Sequence, residues 1–261
     1  MTDITPQDIT AGDLRGREDV IVTGREIDFA PPCPAIKSIK PHIGLPAMNV
    51  IIGRQVFSRE EEMVNVTTHA AGFGAAIIGV ICLLVWAVET GWIAVTGAAI
   101  YGLTLLAVYG CSTVYHASRD LIRRRLMQTL DHCAIFLLIG GSYTPFALQG
   151  IGGWAGIGLF VLMWTMAVAG IWMRLWRPDL SARFQTWLFL AMGWCGVLWG
   201  PAMFSALPSE SLYLLLACGV TYTGGVVFYL WESLPHNHGI WHLFVMGGSI
   251  MHFFSVAALM G

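Results

Sequence analysis

Residues 238–260 read HGIWHLFVMGGSIMHFFSVAALM, the last apolar stretch of the chain, and it opens on two histidines one helical turn apart. A helix crosses the hydrocarbon core of a bilayer in about 20 residues, so the stretch from Gly239 to Met260 is long enough to span one. Ionisable side chains at membrane depth are costly unless they are paired or metal-bound, which makes His238 and His242 pointers to function as well as to fold.

The rest of the chain supports the membrane reading. Its 261 residues are 56% hydrophobic and only 11% charged, with a mean hydropathy of +0.66. A soluble domain of this size would carry about a quarter charged residues. Six further runs match the last one, near Thr67–Val88, Gly91–Tyr115, Thr129–Leu148, Trp154–Leu175, Phe184–Phe204 and Leu212–Trp231. The expectation is therefore an all-α membrane protein, a bundle of seven transmembrane helices. Short connections make consecutive helices antiparallel neighbours, and an odd number of spans puts the termini on opposite sides.

Lysine and arginine sort cleanly on this topology. Seven precede the first span (Arg15, Arg17, Arg25, Lys37, Lys40, Arg54, Arg59), four fall between spans two and three (Arg119, Arg123, Arg124, Arg125), and three fall between spans four and five (Arg174, Arg177, Arg183). All 14 then lie on one face, while the opposite loops offer only Glu89 and Glu210. The positive-inside rule makes that face cytoplasmic, with the C-terminus exported. Met1–Asp13 contains three aspartates and no apolar run, so no cleavable signal peptide is expected and the first span directs insertion. Residues 1–60, with Pro6, Pro31, Pro32, Pro34, Pro41 and Pro46, read as a mostly irregular cytoplasmic segment ahead of a transmembrane domain over 61–261. The six cysteines form no C-x-x-C pair and read as small packing residues. The Gly150–Gly158 stretch, and Gly196 with Gly200, read as tight turns and close helix contacts.

Placed on these spans, the polar residues converge in depth. Ser112 and His116 end span two, Asp131 begins span three, His238 and His242 begin span seven, and Asn65 and His69 begin span one. Residues four apart on a helix are about 40° apart around the axis and about 6 Å along it, so each pair shares a face. Two histidines at that spacing can chelate one metal ion. With His116 they make three imidazoles, the protein ligand count of catalytic zinc sites, where water fills the fourth position. Asp131 is then a candidate general base, or an orienter of a ligand histidine, and Ser112 a group that holds water or a substrate carbonyl. Zinc lowers the pKa of bound water to about 7 and polarises a carbonyl, so the chemistry implied is hydrolysis near the cytoplasmic interface. Glu62, Asn65 and His69 stripe one face of the first helix and are candidates for support of the site. His132, about 100° round from Asp131, is a further candidate, with packing as its plainer reading. His252 is nearly three turns beyond His242, too distant for the same metal, and reads as a buried polar contact.

These residues form a pattern: Glu62-Met-Val-Asn65-Val-Thr-Thr68-His69 in the first span, Ser112-Thr-Val-Tyr-His116 in the second, Leu130-Asp131-His132 and Tyr143-Thr-Pro145-Phe in the third, and His238-Gly-Ile-Trp-His242 in the seventh. In that order the chain resembles the hemolysin III family from about Glu61 to Met260. That family is the bacterial branch of the progestin and adiponectin receptor superfamily, grouped with alkaline ceramidases as metal-dependent membrane hydrolases. The resemblance implies a seven-helix fold with a cytoplasmic N-terminus, located in the bacterial inner (plasma) membrane. It implies zinc held by His116, His238 and His242, with Asp131 and Ser112 flanking the metal-bound water. It also implies relatives with ceramidase-type amide hydrolysis, and others described as cytolytic or as regulators of membrane fluidity.

Three functions follow as expectations. The first is a zinc-dependent hydrolase acting on an amide or ester lipid, with a membrane lipid or fatty-acyl substrate as partner. The second is a zinc-stabilised receptor or regulator of membrane state. The third is a cytolytic pore, against which stands the lack of any sustained polar stripe along a span. No nucleic-acid partner is expected.

Overall fold

The structure, a computed structural model, describes residues 57–177 and 180–260. Of the expected N-terminal segment only the last four residues fall within this range, and its reading otherwise lies outside the described residues. All regular structure among the described residues is helical, and seven helical stretches are long and apolar enough to cross a membrane.

Helix α1 (Arg59–Thr90) starts two turns earlier than its apolar run. Its start is set by a capping box: the Ser58 hydroxyl accepts from the Glu61 amide at 3.2 Å, and the Glu61 carboxylate accepts from the Ser58 amide at 2.8 Å. At 32 residues the helix is about 48 Å long, well beyond the ~30 Å of a hydrocarbon core. Its first turns carry Glu62 and Asn65 on the helix, as their spacing with His69 predicts. A turn at Gly91, where φ is +128°, leads into α2 (Trp92–Ala117).

Helix α3 (Leu121–Pro145) likewise begins before its apolar run, because Asp120 caps the Arg123 amide at 2.8 Å. Three of the four arginines expected between spans thus sit inside α3. Pro145, which has no N–H to donate, ends the α-helix, and the span continues as a π-helical stretch over Phe146–Ile151. Gly152 and Gly153 follow with φ of +62° and +52° and turn the chain into α4 (Gly153–Trp176).

The fifth span, expected as one continuous helix, is broken. It comprises α5 (Ala182–Trp194), a 3-10 stretch (Cys195–Trp199) and α6 (Gly200–Ala206), with Pro201 in the first turn of α6. The break lies where Gly196 meets Tyr143: a Cβ at Gly196 would lie 2.6 Å from the Tyr143 ring, and the Gly196 amide donates to the Tyr143 hydroxyl at 3.0 Å. Gly200, by contrast, has no neighbour within 4 Å of such a Cβ. Helices α7 (Ser209–Leu230) and α8 (Asn237–Ala257) complete the bundle.

Helix α1 packs against both α2 and α8, α3 packs against α2 and α4, and α7 packs against α8. The apolar core between α1, α2, α3 and α8 includes Leu83, Ala98, Tyr101, Phe146 and Val256, and a second core around Phe136, Leu159 and Met163 joins α3 to α4 and α5. Lipid is as apolar as these side chains, so close contact rather than water exclusion holds such helices together. Small residues supply it. A Cβ at Gly141 of α3 would lie 2.2 Å from the Thr104 hydroxyl of α2, and one at Gly239 of α8 would lie 2.7 Å from Val64 of α1.

The alternating helices put the start of α1, the end of α2, the start of α3, the end of α4 and the start of α8 at one end of the bundle. Every described arginine is at that end. Exposed tryptophans mark both rims, Trp172, Trp176 and Trp187 at the arginine-rich end and Trp92 and Trp154 at the other, as an interfacial belt requires.

Candidate metal centre

The last turn of α2 and the first two turns of α8 meet at the arginine-rich end, and His116, His238 and His242 meet there with them. One ring nitrogen from each lies within 4.8 Å of the other two. The Nε2 atoms of His116 and His238 are 3.2 Å apart. In a tetrahedral zinc site with Zn–N bonds of 2.0–2.1 Å, ligand nitrogens stand about 3.3 Å from one another, so this pair already has the spacing of an edge of such a site. His116 and His242 are buried, at 3% and 2% exposure.

The outward nitrogens settle which protons are where. His116 Nδ1 lies 2.7 Å from a Glu62 carboxylate oxygen, to which it donates, so its Nε2 is bare. His242 Nδ1 lies 3.2 Å from the Thr68 hydroxyl. That hydroxyl already donates to the carbonyls of Val64 at 2.8 Å and Asn65 at 3.0 Å, so His242 Nδ1 is the donor and its Nε2 is bare as well. One proton on His238 could satisfy the 3.2 Å pair alone; a cation satisfies all three nitrogens at once. A histidine whose other nitrogen donates to a carboxylate or hydroxyl is oriented and made more basic for a metal. The residues present therefore fit a tetrahedral cation with three imidazole ligands and one open position.

Support comes from three helices. Glu62 also forms an ion pair with Arg124 of α3, and the Arg124 guanidinium lies over the Tyr115 ring, 4.8 Å from its centroid. Glu61 accepts from the His236 amide at 3.3 Å and ties the entry of α8 to the start of α1; His236 itself has a left-handed φ of +56°. Phe57 lies over the cluster, its ring centroid 4.8 Å from that of His238 and 5.7 Å from that of His116. Buried Asn65 sits beside Gly239. His69 stacks on His242 with centroids 3.6 Å apart, and neither of its ring nitrogens has a hydrogen-bond partner.

Asp131 lies outside the three-nitrogen group. Ser112 of α2 is its polar neighbour across the contact of α2 and α3. His132 turns away from the cluster toward α5, with Nδ1 3.0 Å from the Gln185 side-chain oxygen. Asp131, Ser112, His132, His238 and His242 all line one cavity of about 710 Å³ bordered by α2, α3, α5, α6, α7 and α8. From the histidines it runs past Ile135, Phe189, Cys218 and Val226 to Leu207 and Leu212 near the other end of the bundle. Its walls are largely apolar, as in pockets that bury apolar ligands.

The sequence signature of the family described as "Haemolysin-III related" matches residues 57–253. The chain belongs to the hemolysin III family. Among relatives of this hemolysin III chain, "Hemolysin-3" of Bacillus cereus is 38% identical over 198 residues, covering 76% of this chain and 90% of that one. "Hemolysin-3 homolog" of Bacillus subtilis is 33% identical over 203 residues, 77% of this chain and 95% of that one. The human "Monocyte to macrophage differentiation factor" is 30% identical over 206 residues, 75% of this chain and 83% of that one. No solved structure matches the chain. Kinship and spans together make this hemolysin III protein an integral protein of the plasma membrane.

Sequence reasoning did not single out Thr68, Arg124, Phe57 or Gln185. Thr68 was visible as the neighbour of His69, and Arg124 as one of a basic run, but their partners are 174 and 62 residues away in sequence.

Proposed function

We propose that this hemolysin III protein is a zinc-dependent hydrolase that cleaves an amide or ester bond in a membrane lipid. The observation that carries this reading is a three-imidazole cluster opening onto an apolar cavity whose wall also bears Asp131 and Ser112. When bound, zinc would supply Lewis acidity: it lowers the pKa of water to about 7 and polarises a carbonyl. His116, His238 and His242 would hold it. The chain's own groups divide the remaining work. The cavity takes the acyl chain and excludes bulk water. The Ser112 hydroxyl donates to the substrate carbonyl or holds the attacking water. Asp131 takes a proton from that water as its oxygen bonds to the carbonyl carbon, and returns it to the departing amine or alcohol as the C–N or C–O bond breaks. The arginines gathered at the same end support a centre just inside the cytoplasmic face.

The test is elemental analysis and turnover on purified protein, its His116→Ala and His238→Ala variants, and Asp131→Asn. The expected result is zinc near one per chain in the parent, loss of zinc in both histidine variants, and an Asp131→Asn protein that keeps zinc but loses turnover by about 10²–10⁴-fold. Full zinc with no cleavage of any amide or ester lipid sinks the reading. In that case the second reading stands, a zinc-stabilised receptor or regulator of membrane state. It is supported by the way the cluster and its partners Glu62 and Thr68 join α1, α2 and α8, and it expects Asp131→Asn to leave function intact. The largely apolar cavity lends no support to a pore.

A further inference from the structure

Four side chains that line the cavity carry a buried polar atom with no hydrogen-bond partner. His69 and His238 belong to the metal centre. The other two, Tyr101 of α2 and His252 of α8, lie deep in the bundle and have no part in the chemistry above. They are 1% and 5% exposed, and their ring centroids are 4.8 Å apart. Neither the Tyr101 hydroxyl nor His252 Nδ1 has a hydrogen-bond partner. In the tautomer protonated at Nε2, Nδ1 of His252 is a bare acceptor. A phenolic donor and an imidazole acceptor therefore stand side by side in the cavity wall.

Their setting is otherwise satisfied or apolar. Nearby, the Tyr222 and Ser249 hydroxyls pair at 2.9 Å, and Ser211 of α7 bonds to Ser255 of α8 through both its backbone and hydroxyl oxygens. The ring packed edge-on against His252 is Phe146, at 5.4 Å, which offers nothing to either group. Unmet polar atoms within a membrane bundle are costly, so a partner entering through the cavity is favoured. Its depth is given by the helix: His252 is ten residues beyond His242, about 15 Å along the axis.

We propose that Tyr101 and His252 form a hydroxyl-recognition subsite partway down the cavity, and that the ligand is an acyl chain carrying a mid-chain hydroxyl. A hydroxyl oxygen accepts from Tyr101 while its hydrogen goes to His252 Nδ1. A keto group satisfies Tyr101 alone, and a methylene satisfies neither. The proposal rests on the reading of the cavity as an acyl-chain site, but not on hydrolysis.

The experiment is displacement of a fluorescent fatty acid from the full-length protein in nanodiscs by three competitors. These are oleate, ricinoleate, which adds only a mid-chain hydroxyl to oleate, and oleate hydroxylated beside its carboxylate. Ricinoleate is expected to compete about tenfold better than oleate, and the third competitor no better than oleate. Tyr101→Phe keeps the ring and its packing; it is expected to bring the ratio of ricinoleate to oleate competition down to about one, and His252→Leu to do the same. Equal competition by oleate and ricinoleate in the parent overturns the subsite alone and leaves water as the partner of these groups. A ricinoleate preference that survives in both variants overturns the assignment to these residues. Failure of all three to compete overturns the acyl-chain reading, and the subsite with it.

Discussion

Glu62 links the metal centre to the rest of the protein. One of its carboxylate oxygens accepts the hydrogen bond from His116 Nδ1 and the other pairs with Arg124, so a single side chain sets a tautomer on α2 and anchors it to α3. Glu62→Gln keeps the size but can no longer hold His116 through a charged acceptor. Outer partners of metal-bound histidines are worth 10–100-fold in metal affinity, and a weakening of that order is expected, read by competition with a chromogenic zinc chelator. Thr68→Val, which removes the oxygen facing His242, should weaken binding in the same direction. Unchanged affinity in both variants would show that the histidines are oriented by packing alone.

At the level of elements, the site depends on how closely α8 approaches α1. Gly239 makes that approach possible, since a Cβ there would lie 2.7 Å from Val64, a β-branched side chain with little rotamer freedom on a helix. Gly239 is also the neighbour of His238 in sequence, so any displacement is felt at the metal centre. Gly239→Ala is expected to destabilise by about 1–3 kcal/mol and to weaken zinc binding. Val64→Ala in the same chain should restore both, because it removes the atom that clashes. Thermal unfolding and zinc titration of the single and double variants form the cycle that checks this, and strictly additive effects would refute the steric account.

A metal bound at the three histidines should stabilise the whole bundle. Three helices converge on the cluster, so a bound cation stabilises the folded state by its binding free energy, about 2.7 kcal/mol when the ion is at 100 times its dissociation constant. Chelation should therefore lower the melting temperature of the parent and leave that of His242→Ala unchanged. A parent insensitive to chelator would remove the metal from the stability of the fold. Orientation is a prediction at this scale too. In a background with its native cysteines replaced, a cysteine at Arg125 should react with an impermeant thiol reagent only from the cytoplasmic side, and one at Glu210 only from the opposite side. The reverse pattern would invert the topology.

The sequence by itself determined the number of spans, their alternation and the common depth of Ser112, His116, Asp131, His238 and His242. Those are properties of apolar run length and helical period, which act locally along the chain. It placed the helix starts less well: Ser58 and Asp120 cap α1 and α3 well before the apolar residues begin, because a hydrogen-bonded cap acts independently of hydropathy. It could not foresee the break of the fifth span, which depends on Tyr143 meeting Gly196. Only the tertiary structure decided that the three histidines present one nitrogen each to a common point, that Glu62 and Thr68 take the opposite nitrogens, and that Tyr101 and His252 share a cavity wall. Each of those outcomes needs two or three helices at a given rotation and distance. Rotation and distance are set by contacts such as Gly239 on Val64, between residues far apart in the chain, and no local pattern encodes them.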